Sequence, residues 1–426
     1  MLINFSFKNV SSFKEAQNLS LEASPLKKDD ILSNNLIIPD EKNRILKSAL
    51  IYGANASGKT NMISAISWFK RIVLTSYGTL DHNVLRQVIP FLLDGKSIEC
   101  PSDFEVVFFE DDIKYRYGIS IFDGEIVEEW LYYTITRETL LFLRKYQTIE
   151  YNKTQLEEAK PFVKKGKNSD KKAILGKTAS NVPFISALAA FQSKHGLNVI
   201  NFFSKIHTIS GIKDERLGGY SFSLLKEDLT FYNWALDKLK NFDITGLIVN
   251  EEKISGQGIP FHPFSRNVEE EISFLDIRVK KQLSNSKGMI EFPLALESSG
   301  TCKIIHLLGP LYKALENGDI LFIDEFDSQF HTLLSKYIFN LFHITCKNAQ
   351  IITNVQDTNL MNTDIFRRDQ IWFVHKDKIE KDSNLYSLAE YKNAIQKSYS
   401  EDYLHGAFDA IPLFDSIDDI EKLMKE

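Results

Sequence analysis

Residues 53–60 have the types and spacing needed to bind a phosphate chain. They read GANASGKT, which matches the phosphate-loop pattern G-x-x-x-x-G-K-[ST]. The two glycines permit backbone angles that point successive N–H groups at an anion, and the positive end of a following helix adds to the attraction. Lys59 is a cation for the β- and γ-phosphates, and Thr60 offers a hydroxyl to Mg²⁺. The predicted nucleotide contacts are Gly53, Asn55, Ala56, Ser57, Gly58, Lys59, Thr60 and Asn61.

The flanking segments are the ones that such a loop needs. Residues 49–52 form an apolar run before the loop, which predicts a buried strand. Apolar residues then recur at helical spacing from Met62 to Val73. A chance glycine-rich turn would not account for a strand before the loop and a helix after it. The segment therefore predicts a nucleoside triphosphate site, with ATP and Mg²⁺ as its ligands.

Two carboxylates end another apolar run. Residues 320–323 read ILFI and are followed by Asp324 and Glu325. Unbroken apolar runs are typical of buried parallel strands, and ligands collect at the carboxyl ends of such strands. Asp324 is a candidate Mg²⁺ ligand, and Glu325 is a candidate base that orients and deprotonates an attacking water. Alone, the run also fits a strand that ends in an acidic turn, but beside a phosphate loop it predicts ATP hydrolysis.

A small-residue turn stands about twenty residues before that strand. Residues 297–301 read ESSGT, and a helical pattern from Ile304 to Leu315 follows, so backbone N–H groups at the helix start can bind an anion. This spacing resembles the signature motif of ABC-type ATPases, in which the motif of one subunit covers the γ-phosphate held by the other. The resemblance implies that Ser298, Ser299 and Gly300 contact the nucleotide of the facing subunit.

Other segments make the resemblance closer. Residues 2–13 look like the first strand and turn of the heads of structural-maintenance-of-chromosomes and RecF ATPases. The segment 326–331 stands where these heads have their D-loop, with Asp327 as the matching aspartate. Residues 366–374 and 403–412 are similar to segments of a prokaryotic family of stand-alone ATPases that are associated with abortive infection and restriction-linked loci. The resemblance covers roughly residues 1–135 and 287–415.

One position departs from the pattern of these ATPases. They carry a switch histidine in a context like T-H-D-T-N-L, whereas residues 355–360 read VQDTNL, with Gln356 in its place. Glutamine can donate an N–H to a γ-phosphate oxygen, but it is neutral and cannot exchange a proton. The predicted catalytic residues are therefore Glu325, Gln356 and Lys59, and slow hydrolysis is expected. Gln87 is a nominal Q-loop candidate, although a solvated surface glutamine is the favoured interpretation.

Composition favours a cytoplasmic globular protein without disulfides or metal clusters. The chain has 426 residues, 43% of them hydrophobic, and its formal charge of -6 gives no global attraction for nucleic acid. Cys100, Cys302 and Cys346 form no C-x-x-C pair, and the nine histidines show no paired metal spacing. No apolar run reaches membrane-spanning length and no signal peptide is recognised, so we expect a cytoplasmic location and no membrane partner.

The predicted fold class is α/β: a P-loop NTPase of the ABC-ATPase head type, with a mixed sheet, an antiparallel β subdomain and an inserted helical lobe. Residues 1–145 hold the phosphate loop and a β-meander with an Asp-Gly hairpin turn at 123–124. Residues 146–286 are predicted as a mainly helical insertion, with helices over 184–191, 199–206 and 224–239. Its basic stretch 164–172 is interpreted as a solvated loop rather than a nucleic-acid contact. Residues 287–426 hold the signature, the acidic strand end, the D-loop and the switch position.

The functional hypothesis joins these segments. A phosphate loop and a signature motif that act from different subunits make a homodimer around ATP the catalytic unit, alone or within a higher oligomer. The resemblance implies a regulator in anti-phage defence that acts on a separately encoded effector, such as a Toprim-like nuclease. Two alternatives stay open: a DNA repair or recombination head that binds DNA directly, and a nucleotide-gated scaffold with little hydrolysis.

Overall fold

The computed structural model of the chain describes residues 1–25, 32–77, 84–165, 173–211, 215–255, 271–284, 288–391 and 398–411. The chain divides into two compact units. Unit 1 comprises Met1–Gly211, Asn317–Ser328 and Thr332–Glu426, and unit 2 comprises Ile212–Glu316 and Gln329–His331. The phosphate loop and the acidic strand end are both part of unit 1.

The strands and helices are numbered in chain order. The strands are β1 Leu2–Lys8, β2 Gln17–Ser20, β3 Leu36–Ile37, β4 Ile45–Leu46, β5 Ser48–Tyr52, β6 Ser102–Glu110, β7 Ile113–Phe122, β8 Glu125–Thr134, β9 Glu138–Lys145, β10 Thr148–Tyr151, β11 Val163–Lys165, β12 Ala173–Leu175, β13 Ile206–Ser210, β14 Gly246–Ser255, β15 Glu271–Gln282, β16 Met289–Pro293, β17 Ile320–Asp324, β18 Gln350–Asn354, β19 Ile371–Lys376 and β20 Ser383–Ser387. The helices are α1 Lys59–Thr75, α2 Phe184–Ala190, α3 Lys194–Ser204, α4 Glu215–Glu227, α5 Leu229–Leu239, α6 Ser299–Asn317, α7 Thr332–Thr345 and α8 Tyr399–Leu404.

A mainly parallel sheet of six strands carries the site in unit 1. Its order is β13-β17-β18-β5-β19-β20, and only the last pair is antiparallel. All five residues of β5 and of β18 are buried, as the unbroken apolar runs of a sheet covered on both faces predict. The carboxyl ends of β17, β18, β5 and β19 therefore lie side by side at one edge.

The second large sheet of unit 1 is antiparallel. Its order is β11-β12-β10-β9-β8-β7-β6-β1-β2, and it contains the predicted meander as β6, β7 and β8. Tyr115 and Tyr117 of β7 are fully buried, so these aromatic side chains pack within the sheet, as the sequence predicts. The combination of a P-loop, a parallel core sheet and an antiparallel subdomain confirms the predicted α/β fold class.

Helix α1 packs between these two sheets. Its Phe69 ring lies 5.5 Å from that of Phe104 and 5.7 Å from that of Tyr117, both in the antiparallel sheet. On the parallel sheet, Lys70 Nζ donates a hydrogen bond to the carbonyl of Ile206. Because both faces of α1 are held, its first turn, where the phosphate loop ends, has a defined position at the strand ends.

Unit 2 combines helices with a three-stranded antiparallel sheet, β14-β15-β16. Phe231 and Trp234 of α5 pack on Tyr312 of α6, with ring centroids 5.1 and 5.2 Å apart respectively. Lys281 of β15 forms an ion pair of 2.7 Å with Glu297, the residue that begins the signature segment. The signature segment is thereby attached to the small sheet of its own unit.

Two predicted helices differ from the observed elements. The segment 224–239 is two helices, because the carboxylate of Asp228 accepts the N–H of Phe231 at 2.9 Å and starts α5 as an N-cap. The segment 199–206 is helical only to Ser204, and Ile206 begins β13, which pairs in parallel with β17. The short β13 depends on a long-range strand partner, which helical periodicity does not reveal.

The compact units have other boundaries than the predicted lobes. Residues 146–211 are part of unit 1, because β10 and β12 extend the antiparallel sheet and Phe202 of α3 stacks on Phe108 at 3.8 Å. The described part of 146–286 also contains strands β10 to β15, so it is not mainly helical. Residues 166–172 of the basic stretch lie outside the described residues. Within the described ranges, no helix has both the length and the apolar character needed to cross a membrane.

Candidate functional site

The predicted site segments meet at the carboxyl ends of neighbouring strands. Strand β5 ends just before Gly53, β17 ends at Asp324, and β18 ends at Asn354. The registers place Ile323 opposite Thr353 and Asn354 opposite Ile51. The phosphate loop, the acidic strand end and the switch segment therefore lie together, at the edge where parallel sheets bind their ligands.

The phosphate loop has a backbone that only small residues allow. Gly58 has a φ of 116°, and a Cβ added there would lie 2.6 Å from Ser12 Oγ and 2.8 Å from Ser383 Oγ. Ser383 Oγ also donates a hydrogen bond of 2.6 Å to the carbonyl of Ser57. Ser12 and Ser383 therefore both lie against the loop at Gly58. A glycine is required at this position because the backbone is left-handed and because the two serines approach it closely.

The Lys59 side chain folds back over the phosphate loop. Its Nζ donates to the carbonyl oxygens of Gly53 at 2.6 Å and Ala54 at 3.0 Å. Burial lowers the pKa of Lys59, while the nearby carboxylates of Asp324 and Glu325 act in the opposite direction. A phosphate oxygen would offer this ammonium a charge-assisted hydrogen bond, which is stronger than its bonds to neutral carbonyls.

Thr60 and Asp324 supply the oxygens that suit a Mg²⁺ ion. Thr60 Oγ1 donates to Asp324 Oδ1 at 3.2 Å. Asn354 Nδ2 donates to the same carboxylate oxygen at 2.6 Å, which fixes the amide orientation because a carboxylate only accepts. Asn354 Oδ1 is then buried without a hydrogen-bond partner among the described residues, as an acceptor for a metal-bound water would be. Hard oxygen ligands and such an outer acceptor fit Mg²⁺.

In the described part of the chain, no larger metal-binding cluster accompanies this pair. The described residues contain no group of three or more His, Cys, Asp or Glu side chains that could hold a metal ion. A Mg²⁺ ion that is bound by few protein oxygens keeps several waters and uses phosphate oxygens as further ligands. The sparse donor set at Thr60 and Asp324 therefore agrees with a metal that enters together with a nucleotide.

Glu325 follows the strand in an unusual conformation. Its φ is 50°, in the left-handed region that non-glycine residues rarely occupy, and its side chain is half-buried. The turn is held by hydrogen bonds from Ser328 N to the carbonyl of Glu325 and from Phe326 N to the carbonyl of Asn354, both 3.2 Å long. A Cβ on Gly211 would collide with the carbonyl of Glu325, so the backbone of Gly211 closes this turn from the end of β13.

Asp327 binds the switch segment. Its Oδ2 accepts the backbone N–H of Gln356 at 2.7 Å and that of Asp357 at 2.5 Å. Tyr52, buried at the end of β5, donates its hydroxyl to the carbonyl of Asp357 at 3.2 Å. Burial raises the pKa of Tyr52 well above 10, and the nearby Asp327 and Asp357 add to the effect. The D-loop, the switch segment and the phosphate-loop strand are therefore directly hydrogen-bonded.

The Gln356 side chain is exposed, whereas its backbone N–H is hydrogen-bonded to Asp327. Asp357, next to it, accepts the N–H of Asn359 at 3.0 Å and is contacted by the hydroxyl of Thr332. The segment is therefore fixed in position while the amide of Gln356 can approach a ligand. Gln87, the nominal Q-loop residue, instead accepts a hydrogen bond of 2.7 Å from Arg71 on α1.

The predicted signature residues belong to unit 2 and form the start of α6. Ser298 Oγ accepts the N–H of Thr301 at 3.1 Å, which caps a helix of 19 residues. Ser298 and Ser299 are exposed. A Cβ on Gly300 would lie 2.9 Å from the carbonyl oxygen of Gln329, so the turn is close to the D-loop end of the same unit. The anion site at this helix start stays a prediction.

Three residues around the loop have no motif that would identify them. Asn354 holds the carboxylate of Asp324, Ser383 holds the carbonyl of Ser57, and Ser12 Oγ accepts a hydrogen bond of 2.9 Å from Asn61. The sequence signal that could have identified Asn354 is its position at a strand end, two residues before Gln356. Ser12 and Ser383 are brought to the loop only by the fold, since 326 residues separate Ser383 from Ser57.

Comparisons with known proteins agree with this site. Residues 48–193 match the family described as "AAA domain, putative AbiEii toxin, Type IV TA system". That segment includes the phosphate loop, α1 and the meander. A search of curated proteins finds no match. The family match and the site geometry support a nucleotide-binding ATPase.

Solved structures with a similar arrangement are heads of SMC proteins. The SMC head domain from Thermotoga maritima has a TM-score of 0.41 and 14% sequence identity, over 91% of this chain and 98% of that one. The SmcHead bound to the C-winged helix domain of ScpA has a TM-score of 0.44 and 13% identity, over 91% of this chain and 97% of that one. The fold of this chain is defined by its own strand order and loop geometry.

Proposed function

We propose that this chain is a Mg²⁺-dependent ATPase that dimerises around ATP and regulates a separately encoded effector, a nuclease, in anti-phage defence. The observation that carries the ATPase assignment is the hydrogen bond between Thr60 Oγ1 and Asp324 Oδ1. These two oxygens come from positions 264 residues apart, yet they stand together beside a phosphate loop. Threonine hydroxyl and aspartate carboxylate at this place are the ligands that Mg²⁺ takes in P-loop NTPases.

The loop and Lys59 bind the phosphates. Backbone N–H groups of the loop and of the first turn of α1 surround the β-phosphate, and the helix dipole favours its charge. Lys59 exchanges its two loop carbonyls for phosphate oxygens, which its partial burial makes favourable because the ammonium then gains a charged partner. This exchange makes the position of Lys59 a reporter of nucleotide binding.

Thr60 and Asp324 would hold Mg²⁺, which neutralises charge on the β- and γ-phosphates when it is bound. Asn354 keeps the Asp324 carboxylate oriented through its 2.6 Å hydrogen bond. Glu325, one residue further on, orients a water and accepts its proton. Its half-buried, left-handed position at the strand end is the kind of constrained site that orients a base.

The dimer supplies the remaining part of the site. Ser298, Ser299 and Gly300 begin the 19-residue helix α6, and their N–H groups and hydroxyls would meet the γ-phosphate bound by the partner subunit. Asp327 and Asp357 hold the switch segment, from which Gln356 would donate its amide N–H to a γ-phosphate oxygen. A closed dimer then contains two complete sites, and a monomer contains none.

The test is single-turnover ATP hydrolysis by the full chain and by Glu325→Gln. We expect the variant to bind ATP and Mg²⁺ and to accumulate as a dimer, while hydrolysis falls by about a hundredfold or more. Glu157→Gln, at a side chain that is 68% exposed, is the matched control and should be unaffected. Full turnover by Glu325→Gln would assign the base to another residue or show that the chain is not a hydrolase.

A nucleotide-gated scaffold is the second candidate function, and Gln356 favours it. An exposed, neutral amide at the switch position can sense a γ-phosphate without moving a proton. Such a protein would form a long-lived ATP dimer whose lifetime sets the duration of a signal. Equilibrium dimerisation with ATP, without measurable phosphate release over many dimer lifetimes, would select this function over the ATPase.

The effector and the defence role rest on resemblance and on the name of the matching family, which describes a putative toxin of a toxin–antitoxin system. A Toprim-like nuclease is the proposed effector, and this choice rests on the resemblance. Co-purification with the products of neighbouring genes, with and without ATP, tests this. Lys59→Ala should remove the ATP dependence, and a chain that copurifies with no such product would oppose the regulator role.

A further inference from the structure

A cavity of about 1160 Å³ lies beside the phosphate loop in unit 1. Its walls are the turn that follows β19, the segment from α8 to Ile411, and the first half of the phosphate loop. The volume is slightly above the roughly 300–1,000 Å³ of pockets that hold small-molecule ligands. Unit 1 therefore offers a space large enough for a second ligand next to its proposed ATP site.

The cavity lies beside the first half of the phosphate loop rather than beside its metal end. Residues Gly53 to Ser57 and Gln356 line it, whereas Lys59, Thr60, Asp324 and Glu325 do not. A ligand in the cavity would thus share the first half of the loop and Gln356 with the proposed ATP contacts, but not Lys59, Thr60, Asp324 or Glu325.

The cavity wall carries an excess of positive charge. Lys376, Lys378 and Lys381 line it, against two carboxylates, Asp377 and Asp409. Among the described residues, no ion pair involves any of these three lysines. Asp377 is already used, since its Oδ1 accepts the N–H groups of residues 379 and 380, both at 2.7 Å, which lowers its pKa and keeps it ionised. The lysines are therefore the groups available to an anionic ligand.

The opposite wall is aromatic and ordered. Tyr386 donates its hydroxyl to the carbonyl of Phe408 at 2.5 Å, and Tyr403 donates to that of Ala410 at 3.2 Å. The ring of Phe373 stacks on Tyr403 with centroids 5.7 Å apart, which anchors this wall to β19. His405 Nδ1 lies 2.6 Å from the carbonyl of Glu401, so Nδ1 carries a proton and Nε2 remains for a ligand.

We propose that this cavity binds a second phosphate-bearing ligand of nucleotide size, a nucleoside monophosphate that is either free or the 5′ end of a nucleic-acid strand. Lysines bind its phosphate, and tyrosine and histidine rings contact its base and sugar. The site exists whether or not the chain hydrolyses ATP. Because the ligand would contact Gly53 to Ser57 and Gln356, it would change ATP affinity, and ATP would change its affinity by the same factor.

The experiment measures binding of two probes to the full chain by titration calorimetry. The probes are AMP and a 5′-phosphorylated tetrathymidylate, each added to wild type, to Lys59→Ala and to a triple variant with Lys376→Gln, Lys378→Gln and Lys381→Gln. Lys59→Ala removes the phosphate loop as a competing anion site. A control triple variant, with Lys145→Gln, Lys160→Gln and Lys194→Gln, removes the same charge from side chains that are 55, 60 and 64% exposed elsewhere in unit 1.

We expect wild type, Lys59→Ala and the control to bind a probe equally, and the cavity variant to bind it about tenfold or more weakly. ATP binding by the cavity variant in the absence of probe should persist. Tighter binding of AMP identifies a free nucleotide, and tighter binding of the 5′-phosphorylated strand identifies a strand end. The proposal is overturned if neither probe binds to Lys59→Ala, or if the cavity variant keeps wild-type affinity. Failure of ATP hydrolysis alone would leave this result unchanged and would concern only the proposed ATPase.

Discussion

Asp327 and Gln356 are joined by a hydrogen bond of 2.7 Å from the backbone N–H of Gln356 to Asp327 Oδ2. The same oxygen accepts the N–H of Asp357, so one carboxylate orders the start of the switch segment. In the sequence, Asp327 matches the D-loop aspartate of the ATPases that the chain resembles. Within its own chain, Asp327 positions the backbone of Gln356, the residue that stands in place of the switch histidine.

Asp327→Ala should loosen the switch segment. It removes the acceptor of two backbone N–H groups, and we expect the free energy of unfolding to fall by about 1–3 kcal/mol. Hydrogen exchange should accelerate at the amides of Gln356 and Asp357 and not in β5. Asp327→Asn, which keeps one oxygen acceptor, is the conservative control and should show a smaller change. Unchanged exchange at both amides in Asp327→Ala would contradict the role assigned to this carboxylate.

Lys59→Ala should abolish ATP binding while the protein stays folded. The hydrogen bonds of the Lys59 ammonium within the described residues go to carbonyls of its own loop, at 2.6 and 3.0 Å, so its removal leaves little unsatisfied in the core. Calorimetry with ATP and thermal unfolding of the same samples separate the two effects. Lys160→Ala, at an exposed side chain, is the control. Wild-type ATP affinity in Lys59→Ala would remove the basis of the proposed site.

Asn354→Ala should weaken the dependence on Mg²⁺ more than ATP binding itself. The variant loses the 2.6 Å hydrogen bond that orients Asp324, and loss of such an outer partner typically lowers metal affinity about 10–100-fold. ATP binding measured against Mg²⁺ concentration should shift accordingly, while binding in EDTA stays the same. An unshifted Mg²⁺ dependence would show that Asn354 does not support a metal ligand.

Ser298→Arg should separate ATP binding from dimer formation. An arginine at the start of α6 would occupy the space of the partner's γ-phosphate, so the monomer should bind ATP but not close into an active dimer. Ser298→Ala is the control for bulk and charge, because it removes the hydroxyl, which caps the N–H of Thr301 for about 1 kcal/mol and lies 2.8 Å from Thr301 Oγ1, but leaves the space of the γ-phosphate open. Gly300→Asp is less suitable, since a Cβ there would lie 2.9 Å from the carbonyl of Gln329. Normal hydrolysis by Ser298→Arg would show that this turn is not a signature motif.

Gln356→His should accelerate hydrolysis. We expect wild-type turnover to be slow, well under the ~1 s⁻¹ low end of ordinary enzymes, because a neutral amide cannot exchange a proton. Restoring histidine on a segment already held by Asp327 should raise the single-turnover rate and shorten the life of the closed dimer. Gln87→His, at a residue bound to Arg71, is the control. Equal rates in wild type and Gln356→His would mean that Gln356 is not the switch.

The local pattern of the sequence was enough to predict the loop and the elements on either side of it. A contiguous motif specifies its own chemistry, and apolar periodicity correctly predicted β5, α1, β17 and the meander β6 to β8. It was insufficient where an element depends on a distant partner. Ile206 is the last residue of the predicted helix 199–206, but it begins β13 because β17 offers this segment a strand to pair with.

The sequence by itself determined which residues are proposed to bind phosphate, metal and water, because those groups stand in short contiguous segments whose chemistry does not depend on the rest of the chain. Only the tertiary structure decided their support: Asn354 on Asp324, Ser383 on Ser57, Asp327 on Gln356, and the basic cavity beside the loop. These contacts join residues that are 29 to 326 positions apart. Such long-range pairs depend on how helices and strands pack against each other, which the order of residues along the chain does not display.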